Sequence, residues 1–295
     1  MTDPPLNNPM FRPPAEAGSL VLQVDEGCPH NRCTFCGMYQ ATRFRSRPLE
    51  EVRRLIDHEA GHDPSARRVF LADGDVLHRP FGELEAILEQ LAGRFPALAR
   101  VSTYANGRSI LAKRQAELER LRALKLHTLY LGLESGDEAI LRQVHKGETA
   151  AAMVEAAGLA QSAGLRLSVM VLLGLGGPER SREHARATAM VLNRMQPRLL
   201  SALRVIPVPG TVLHRQVGLG EFTPLTEHQV VAELRRLIAG LELESTVFRA
   251  NHTSNVVPLE GRLPRDKHAL LDLLDGLLAS GGLDAATPGP GPMWM

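Results

Sequence analysis

The 295-residue sequence has few cysteines and aromatic residues, no long apolar run and no excess of charge of one sign. Its 34 basic and 33 acidic residues leave a net charge of +1, which gives no electrostatic reason to expect a membrane or nucleic-acid partner. We expect no membrane span and no N-terminal export signal, because the apolar runs are too short and no basic and apolar leader is recognisable. The three cysteines are an odd number, so a disulfide framework is not expected. These absences predict a protein of the reducing cytoplasm.

The sequence does contain one tight group of cysteines. Cys28, Cys33 and Cys36 lie in the stretch Cys-Pro-His-Asn-Arg-Cys-Thr-Phe-Cys, and the chain has no other thiol. Thiolates that converge in this way hold a metal ion or an iron–sulfur cluster. Three ligands are one fewer than the usual four, so one coordination position is open to something other than cysteine. An open position on a metal site is a place for chemistry.

Short β-rich apolar runs alternate with stretches of helical spacing along most of the chain. The predicted strands are Leu20–Val24, Arg68–Leu71, Arg100–Thr103, Thr128–Leu133, Arg166–Leu173 and Leu200–Ile206. The predicted helices span about 50–59, 81–94, 113–124, 138–144 with 150–163, 181–194 and 227–241. This alternation is typical of parallel βαβ units with right-handed crossovers. Six units fit a barrel or an open doubly wound sheet, and we predict an α/β fold, a partial (β/α)6 TIM-like barrel of parallel strands with a short C-terminal extension.

Composition and periodicity divide the chain into four predicted segments. They are an extended N-terminal segment at 1–19, a β/α core at 20–243, an extension packed on the core at 244–284 and a flexible Pro/Gly-rich tail at 285–295. Within the core, the connection from Asp25 to Pro48 is much longer than the usual βα loop of about 2–6 residues. Because long loops in compact domains are usually functional, this cysteine-bearing loop is the first candidate for a site.

Polar and glycine-rich segments follow all six predicted strands, where parallel β/α folds place their active-site groups. In chain order these segments are the cysteine loop, 72–75, 104–107, 134–136, 174–178 and 207–210. We expect all of them on one rim of the barrel. Tyr104, Asn106, His145 and Lys146 also lie on or near this rim, but the sequence does not separate a catalytic role from a packing role for them.

These residues carry a resemblance to the radical S-adenosylmethionine (SAM) enzymes. The chain is most similar to the subgroup that includes the Elongator catalytic subunit, the methylthiotransferases and the nitrogenase-cofactor maturase. The resemblance covers about residues 20–209. The family commonly has three residues between the first two cysteines, whereas this chain has the four residues Pro29–Arg32. The second spacing fits the family, with two residues between the cysteines and an aromatic residue just before the last one.

The resemblance implies a [4Fe–4S] cluster and SAM as cofactors. Cys28, Cys33 and Cys36 would be the metal ligands, and SAM would chelate the fourth iron through its amino and carboxylate groups. Phe35 would pack near the adenine. The alternative that the residues leave open is a structural zinc site with His30 or another histidine as the fourth ligand.

The segment that follows the second strand has a weaker match. Asp73, Gly74 and Asp75 stand where the family has a Gly-Gly-Glu-type strand end that receives the SAM amino group, but only Gly74 and an acidic follower agree. The two aspartates could instead shape a turn and cap the helix near Phe81.

The resemblance also assigns residues after the fourth strand. Glu134 and Ser135 stand where family members contact the ribose or methionine part of SAM, and Arg142 would pair with the SAM carboxylate through its forked donors. The alternatives are that Ser135 or Asp137 only caps a helix and that Arg142 is a surface residue.

Two later segments complete the candidate site. Gly174 and Gly176 stand where the family's fifth strand approaches the adenine. Pro178 rules out a dinucleotide fingerprint, and the glycines are most simply explained by a tight turn. The polar run Arg249–Asn255 would either line the substrate side of the barrel or form a well hydrogen-bonded loop.

The function that the resemblance implies is reductive cleavage of SAM to a 5′-deoxyadenosyl radical, which removes hydrogen from an unidentified substrate. The enzyme would be an oxidoreductase or a transferase and would need a one-electron donor such as a flavodoxin or ferredoxin. No cysteine is left for an auxiliary cluster, which argues against methylthiolation. Two other classes stay open, a zinc-binding α/β hydrolase or binding module without redox chemistry, and an RNA-binding protein that has kept the fold. The near-neutral charge counts against the second.

Overall fold

The computed structural model describes residues 11–285, which form one large sheet flanked by helices. Residues 1–10 of the predicted N-terminal segment and 286–295 of the predicted tail lie outside the described residues. The strands are β1 Leu20–Gln23, β2 Asp25–Glu26, β3 Arg45–Ser46, β4 Arg68–Ala72, β5 Arg100–Ala105, β6 Leu126–Glu134, β7 Arg166–Leu173, β8 Leu199–Arg204, β9 Thr246–Ala250 and β10 Leu259–Leu263. The helices are α1 Leu49–His62, α2 Phe81–Arg94, α3 Gly107–Leu111, α4 Gln115–Ala123, α5 Glu138–Gln143, α6 Ala150–Ser162, α7 Gly177–Met195, α8 Val212–Gly218, α9 Glu227–Gly240 and α10 Lys267–Ala279.

The main sheet has eight strands in the order β1-β4-β5-β6-β7-β8-β9-β10, with the β2–β3 pair apart. Neighbouring strands from β1 to β9 are parallel, and β10 runs antiparallel to β9. The two edge strands, β1 and β10, do not pair with each other within residues 11–285, so the barrel is open on one side. The predicted α/β fold with a partial TIM-like barrel of parallel strands is confirmed.

The sheet has two strands more than the sequence predicted. The six predicted strands correspond to β1 and β4–β8, whereas β9 and β10 come from the segment 244–284, predicted only as an extension packed on the core. β9 pairs in parallel with β8 and places Arg249 opposite Ser201. β9 runs directly into the polar segment 251–255, which the sequence suggested as one polar run from Arg249, and pairing with β8 decides its conformation. The segment boundaries themselves stay predictions.

Strand residues alternate between two faces with different chemistry, because successive side chains of a strand point to opposite sides. The helix-covered face carries the main apolar core, including Val69, Leu71, Leu129, Val169 and Phe248, all less than 2% exposed. Each such side chain contributes about 1.5–3 kcal/mol through burial. This core holds the sheet rigid and leaves the opposite, concave face free for a site.

The concave face is aromatic and polar. Phe70, Tyr104 and Tyr130 contact one another edge to face, with ring centroids 5.2–6.1 Å apart. Residues 14–16 form a 3₁₀ turn that brings Glu16 against this face, where its Oε1 accepts a hydrogen bond from the Tyr130 hydroxyl at 2.8 Å. The same Oε1 lies 3.7 Å from the Arg100 guanidinium. The chain that precedes β1 is therefore fastened across the sheet.

Candidate active site

The cysteine loop joins β1 to α1 and is fixed from within and from outside. Asn31 Nδ2 donates to the Tyr39 carbonyl at 2.8 Å and so closes the loop on itself. The Thr34 backbone N–H donates to the Val144 carbonyl at 3.0 Å, and the Thr34 carbonyl accepts from the Leu213 N–H at 2.9 Å. These contacts tie the cysteines to the elements that follow β6 and β8.

The three cysteines line one cavity of about 130 Å³. Its other lining residues belong to the same loop or to the carboxyl-end region of β4 to β7. They include Phe35, Met38, Tyr39, Gly74, Tyr104, Asn106, Tyr130, Gly132, Glu134, Lys146 and Met170. We refer to this space as the cysteine cavity.

The protonation state of the buried thiols depends on what they bind. Burial raises the pKa of Cys33 to about 12 and also raises the pKa of Cys36, so these two thiols are neutral when free. A bound metal reverses this preference, since a coordinated thiol is deprotonated. No set of three or more His, Cys, Asp or Glu side chains within residues 11–285 is arranged around a single metal ion. A [4Fe–4S] cluster binds each cysteine through a different iron, and thiols spread around one cavity suit that mode.

His30 is held by one ring nitrogen. Its Nε2 donates to the His145 carbonyl at 2.8 Å, which leaves Nδ1 as the acceptor of the ring, and the side chain lines the cysteine cavity. Burial lowers the pKa of His30, which keeps the ring neutral and consistent with one donated proton. The ring joins the cysteine loop to the residues after α5 and acts there as a tether.

Gly74 provides the close approach that the loop requires. Its N–H donates to the Gly27 carbonyl at 3.0 Å. A Cβ on Gly74 would fall 2.5 Å from Cys28 Cβ and 2.8 Å from Cys28 Sγ. Any other residue would push Cys28 out of place, so the glycine forms part of the cradle for the thiols.

The two neighbouring aspartates have different roles. Asp75 accepts hydrogen bonds from the Asn106 N–H at 3.2 Å, from Asn106 Nδ2 at 3.1 Å and from the Ser109 hydroxyl, which matches the loop-shaping alternative. Asp73 has a φ of +89°, and its buried Oδ2 has no hydrogen-bond partner among the described residues. Burial raises the pKa of both carboxyls to about 6. A buried acceptor without a donor at this rim suits a ligand that carries N–H groups.

Glu134 and Lys146 form a buried ion pair on the wall of the cysteine cavity. Lys146 Nζ lies 3.1 Å from Glu134 Oε1, and the two side chains are 8% and 12% exposed. Burial lowers the pKa of Lys146, but Glu134, Cys33 and Glu148 together outweigh it and the net direction is upward. Glu134 has a φ of +60°, an unfavourable conformation that is common at functional sites. A Cβ on Gly132 would collide with the Glu134 carboxylate.

Phe35 lines the cysteine cavity and also packs on the small apolar cluster that includes Ile140. Ser135 points elsewhere. Its Oγ lies 2.8 Å from His184 Nδ1 and accepts from the Asp137 N–H at 3.0 Å. The helix-start alternative holds for Asp137, whose Oδ1 caps α5 by accepting from the N–H of residue 139 at 2.8 Å.

Six predicted SAM contacts do not line the cysteine cavity, namely Asp73, Asp75, Ser135, Arg142, Gly174 and Gly176. Arg142 is exposed and lines a different cavity on the outer side of the cysteine loop. Gly174 has a φ of +81°, and its N–H donates to Glu233 at 2.6 Å. A Cβ on Gly176 would fall 2.6 Å from Ile140. In the structure, the two glycines serve the turn between β7 and α7.

The outer cavity is large, about 710 Å³, and rich in cationic side chains. Arg32, which stands in the sequence between the first two cysteines, lies on its wall with Arg108 and Arg142. Two carboxylates, Glu138 and Glu148, line it as well, and Arg108 is 3.7 Å from Glu148. With three arginines against two glutamates, the cavity keeps an excess of one positive charge beside the cysteine loop.

A third cavity, of about 270 Å³, lies on the concave face of the sheet. Three members of the predicted polar run, Arg249, Asn251 and His252, line it, which matches the substrate-side alternative. Asn255 takes the other role, because its Nδ2 donates to the Ala202 carbonyl at 2.9 Å and its Oδ1 accepts from the Arg204 N–H at 2.8 Å.

Several site residues were not assigned from the sequence. Lys146 was noted near the rim without a role, and Tyr130, Gly132 and Met170 were not singled out. The alternation within β6 and β7 contains the signal, since it places Tyr130, Gly132 and Glu134 on one face of a strand. Which face is concave depends on the closure of the sheet.

None of the helices formed by residues 11–285 combines the length and the apolar character needed to cross a bilayer.

Sequence comparison relates residues 22–189 to the family model described as the radical SAM superfamily, which covers more than half of the chain. Among curated proteins, the chain is 26% identical over 201 residues to an uncharacterized methyltransferase of Pyrococcus horikoshii. It is 30% identical over 225 residues to an uncharacterized protein of Methanopyrus kandleri. These matches cover 65% and 70% of this chain but only 40% of either relative.

Solved structures share the fold at low sequence identity. Coproporphyrinogen III oxidase (HemN) of Escherichia coli matches with a TM-score of 0.58 and 16% identity, over 75% of this chain and 51% of that one. Methylornithine synthase (PylB) matches with a TM-score of 0.53 and 15% identity, over 88% and 81% of the two chains. The hydrogenase maturase HydG of Carboxydothermus hydrogenoformans matches with a TM-score of 0.50 and 20% identity, over 86% and 56%.

Proposed function

Because the chain belongs to the radical SAM superfamily, we propose that Cys28, Cys33 and Cys36 bind three irons of a [4Fe–4S] cluster and that SAM binds at the fourth. The chain is a radical SAM enzyme, and the cluster and SAM, when bound, supply one-electron cleavage of SAM and hydrogen abstraction from a substrate. One observation carries the assignment of residues. The three thiols and the Glu134–Lys146 ion pair line the same small cavity at the carboxyl ends of the strands.

The polar groups of the cysteine cavity suit the amino-acid end of SAM. Lys146 is a buried cation with three donors, which fits the SAM carboxylate. Asp73 does not line the cavity but directly precedes Gly74, which does, and its Oδ2, buried without a partner among residues 11–285, fits the SAM amino group. Glu134 orients Lys146 and offers a further acceptor. Phe35, from the cysteine loop, supplies an apolar surface for the adenine.

The electron donor belongs to the same proposal. Radical SAM enzymes need a reductant, and we propose an acidic one-electron carrier such as a flavodoxin or ferredoxin. Its docking site would be the outer cavity, where Arg32, Arg108 and Arg142 lie beside the cysteine loop. Complementary charge at such a site speeds the encounter between two proteins. The proposal thus moves Arg142 from contact with SAM to contact with the donor.

The reaction class and compartment are parts of the proposal as well. A cytoplasmic oxidoreductase or transferase fits a reducing compartment, where free thiols and a cluster persist. One relative is named a methyltransferase, but the chain spans about 40% of the length of that relative. Whether this chain transfers a methyl group to its substrate is therefore measured in the experiment below.

Anaerobic reconstitution with iron and sulfide tests the proposal. Iron, sulfide and zinc are quantified, and 5′-deoxyadenosine is measured after dithionite and SAM are added. We expect about four irons per chain and formation of 5′-deoxyadenosine. Adding S-[methyl-¹⁴C]adenosylmethionine and a cell extract would detect methyl transfer in the same preparation.

The variant with Cys28, Cys33 and Cys36 all changed to alanine should lose iron and SAM cleavage while it keeps its circular dichroism. Met190→Ala is a matched control, because it removes an exposed sulfur on α7 and should change neither readout. Zinc in place of iron in the wild type, or unchanged iron in the triple variant, would overturn the assignment.

A further inference from the structure

The cavity on the concave face adjoins the cysteine cavity through shared walls. Met38, Tyr104, Tyr130 and Met170 line both spaces. A molecule in the concave cavity would therefore lie next to whatever the cysteine cavity holds. With a volume of about 270 Å³, the space suits a small molecule.

The side chain of Arg249 lines this cavity and has no hydrogen-bond or ion-pair partner among the described residues. Its Nε is buried without a hydrogen-bond partner. The side chain is half-buried, so its Nη donors reach solvent, whereas Nε has lost water and gained no partner in return. A ligand with a planar pair of acceptors would satisfy it.

The charges around the cavity have one sign. Arg12 and Arg249 line it, and none of the described lining residues is acidic. Two carboxylates lie near the lining. Glu16 accepts from Tyr130 and is 3.7 Å from Arg100. Glu260 stands directly opposite Arg249 in the pairing of β9 with β10, but its Oε2 lies 3.5 Å from Asn251 Nδ2 and it forms no ion pair with Arg249 among residues 11–285.

His252 adds a neutral donor to the same wall. Its Nδ1 accepts from the Ser254 N–H at 3.1 Å, so the proton of the neutral ring lies on Nε2. Burial lowers the pKa of His252 and keeps the ring in this form. Ser168 contributes a buried hydroxyl that has no partner among the described residues.

The strand register sets the position of Arg249 relative to Gly132, which lies two residues before Glu134 of the ion pair. Gly132, Met170, Ser201 and Arg249 lie opposite one another on β6, β7, β8 and β9. Three strand spacings of about 4.8 Å put Arg249 roughly 14 Å from Gly132 along the sheet. Arg249 lines only the concave cavity and not the cysteine cavity, so its distance favours a ligand other than SAM.

We propose that the concave cavity binds the substrate of the enzyme, and that the substrate is a small molecule whose carboxylate pairs with Arg249. The aromatic rings of Tyr104 and Tyr130 would face its apolar part at the wall shared with the cysteine cavity. This inference rests on the proposed function, because chemistry in the cysteine cavity is what makes the adjoining cavity a substrate site.

Equilibrium dialysis of the reconstituted full chain tests the inference with three probes of one shape. They are 4-hydroxyphenylacetate, its neutral amide 4-hydroxyphenylacetamide and the cationic amine tyramine. We expect the acid to bind at least about fivefold more tightly than the amide, and tyramine to bind more weakly still. Equal binding of the acid and the amide would overturn the inference.

Substitutions test whether Arg249 is the residue that causes the preference for the acid over the amide. Arg249→Gln should abolish the preference for the acid, and Arg249→Lys should retain part of it. Arg186→Gln, at an exposed position on α7, is the matched control and should leave it unchanged. An acid preference that survives in Arg249→Gln would overturn the assignment of Arg249. Saturating SAM should not displace the acid, and displacement would reassign Arg249 to SAM.

The two proposals fail separately. The wild type with dithionite and SAM but no probe reports on the proposed function alone. If 5′-deoxyadenosine forms and the acid is not preferred, only the substrate class is wrong. If the acid is preferred and no 5′-deoxyadenosine forms, the carboxylate site stands but its role as a substrate site falls with the proposed function.

Discussion

Lys146 Nζ donates a hydrogen bond to Glu134 Oε1 at 3.1 Å, at a position where both side chains are almost fully buried beside the cysteine loop. Removing one member of a buried ion pair leaves the other charge uncompensated, at a cost of about 3–5 kcal/mol. Neither residue lies in the apolar core, so packing alone does not account for the pair. Its place on the wall of a cavity points to a bound ligand.

Lys146→Met should lower both stability and SAM affinity. We expect a loss of about 3 kcal/mol in unfolding free energy, and a rise of at least about tenfold in the SAM dissociation constant from the lost charge-assisted hydrogen bond. Denaturant titration and equilibrium dialysis with SAM measure the two effects. Lys267→Met, which removes a lysine bonded to the Leu241 carbonyl, is the control for SAM affinity.

The double variant Glu134→Gln with Lys146→Met separates a structural role from a binding role. Stability should recover, because no charge is left unpaired, whereas SAM affinity should stay low. Recovery of both would show that the pair only stabilises the fold.

Gly74→Ala should disturb the thiol cradle. The new methyl group would fall 2.5 Å from Cys28 Cβ, so we expect reduced iron per chain after reconstitution and a stability loss of about 1–3 kcal/mol. Gly61→Ala is the matched control, because nothing lies within 4 Å of a Cβ at that helical position. The control should keep its iron and gain roughly 0.5–1 kcal/mol. Full iron content in Gly74→Ala would contradict the close approach.

Arg142→Glu distinguishes the two roles considered for that residue. If Arg142 helps to dock an acidic donor, SAM cleavage driven by flavodoxin should fall by about tenfold and become less sensitive to salt, while cleavage driven by dithionite is retained. Arg186→Glu controls for the change in net charge. An equal loss with both reductants would return Arg142 to the SAM contact that the sequence resemblance implied.

His184 should make stability depend on pH. Its ring is buried between Ser135 and the Leu172 carbonyl, with Glu233 at 3.7 Å, and burial lowers its pKa below the ordinary 6.5. The unfolded chain therefore binds a proton at this histidine near pH 6.5, whereas the folded chain binds it only at a lower pH. Stability that is present above pH 6.5 is lost as the pH falls, with a slope of up to about 1.4 kcal/mol per pH unit.

Denaturant titrations between pH 5 and 8 check this slope against His184→Gln, in which it should be absent. His268→Gln, which changes an exposed ring, should behave as the wild type. Asp73 and Asp75 act in the opposite direction, since their raised pKa values make the folded state bind protons between about pH 4 and 6. They are common to all three proteins and cancel in the comparison.

The strands β4–β8 and the rim were predictable because their signals are local. Runs such as Arg166–Leu173 are apolar over most of their length, and each is followed by a glycine or polar turn. β9 and β10 gave no such signal. Arg249 lies in a strand only because β8 offers it a partner at Ser201, and local sequence does not contain that partner.

The candidate site divides in the same way. The spacing of Cys28, Cys33 and Cys36 reveals the metal-binding loop, since nearby thiols in one loop meet in any compact fold. Arg142 and Lys146 are only four residues apart, and both follow β6. Arg142 lies in α5 and lines the outer cavity, whereas the turn after α5 brings Lys146 to the cysteine cavity. Sequence distance does not distinguish these directions.

The sequence by itself determined the alternation of strands and helices, the cysteine loop and the family, because each depends on residue types at short spacing. The tertiary structure decided the rest. It set which strand face is concave, and it paired Lys146 with Glu134. It also brought Arg249, from the segment that follows residue 243, to a cavity that adjoins the cysteine cavity. These relations depend on how the sheet curves and closes, and that closure is fixed by contacts between segments far apart in sequence.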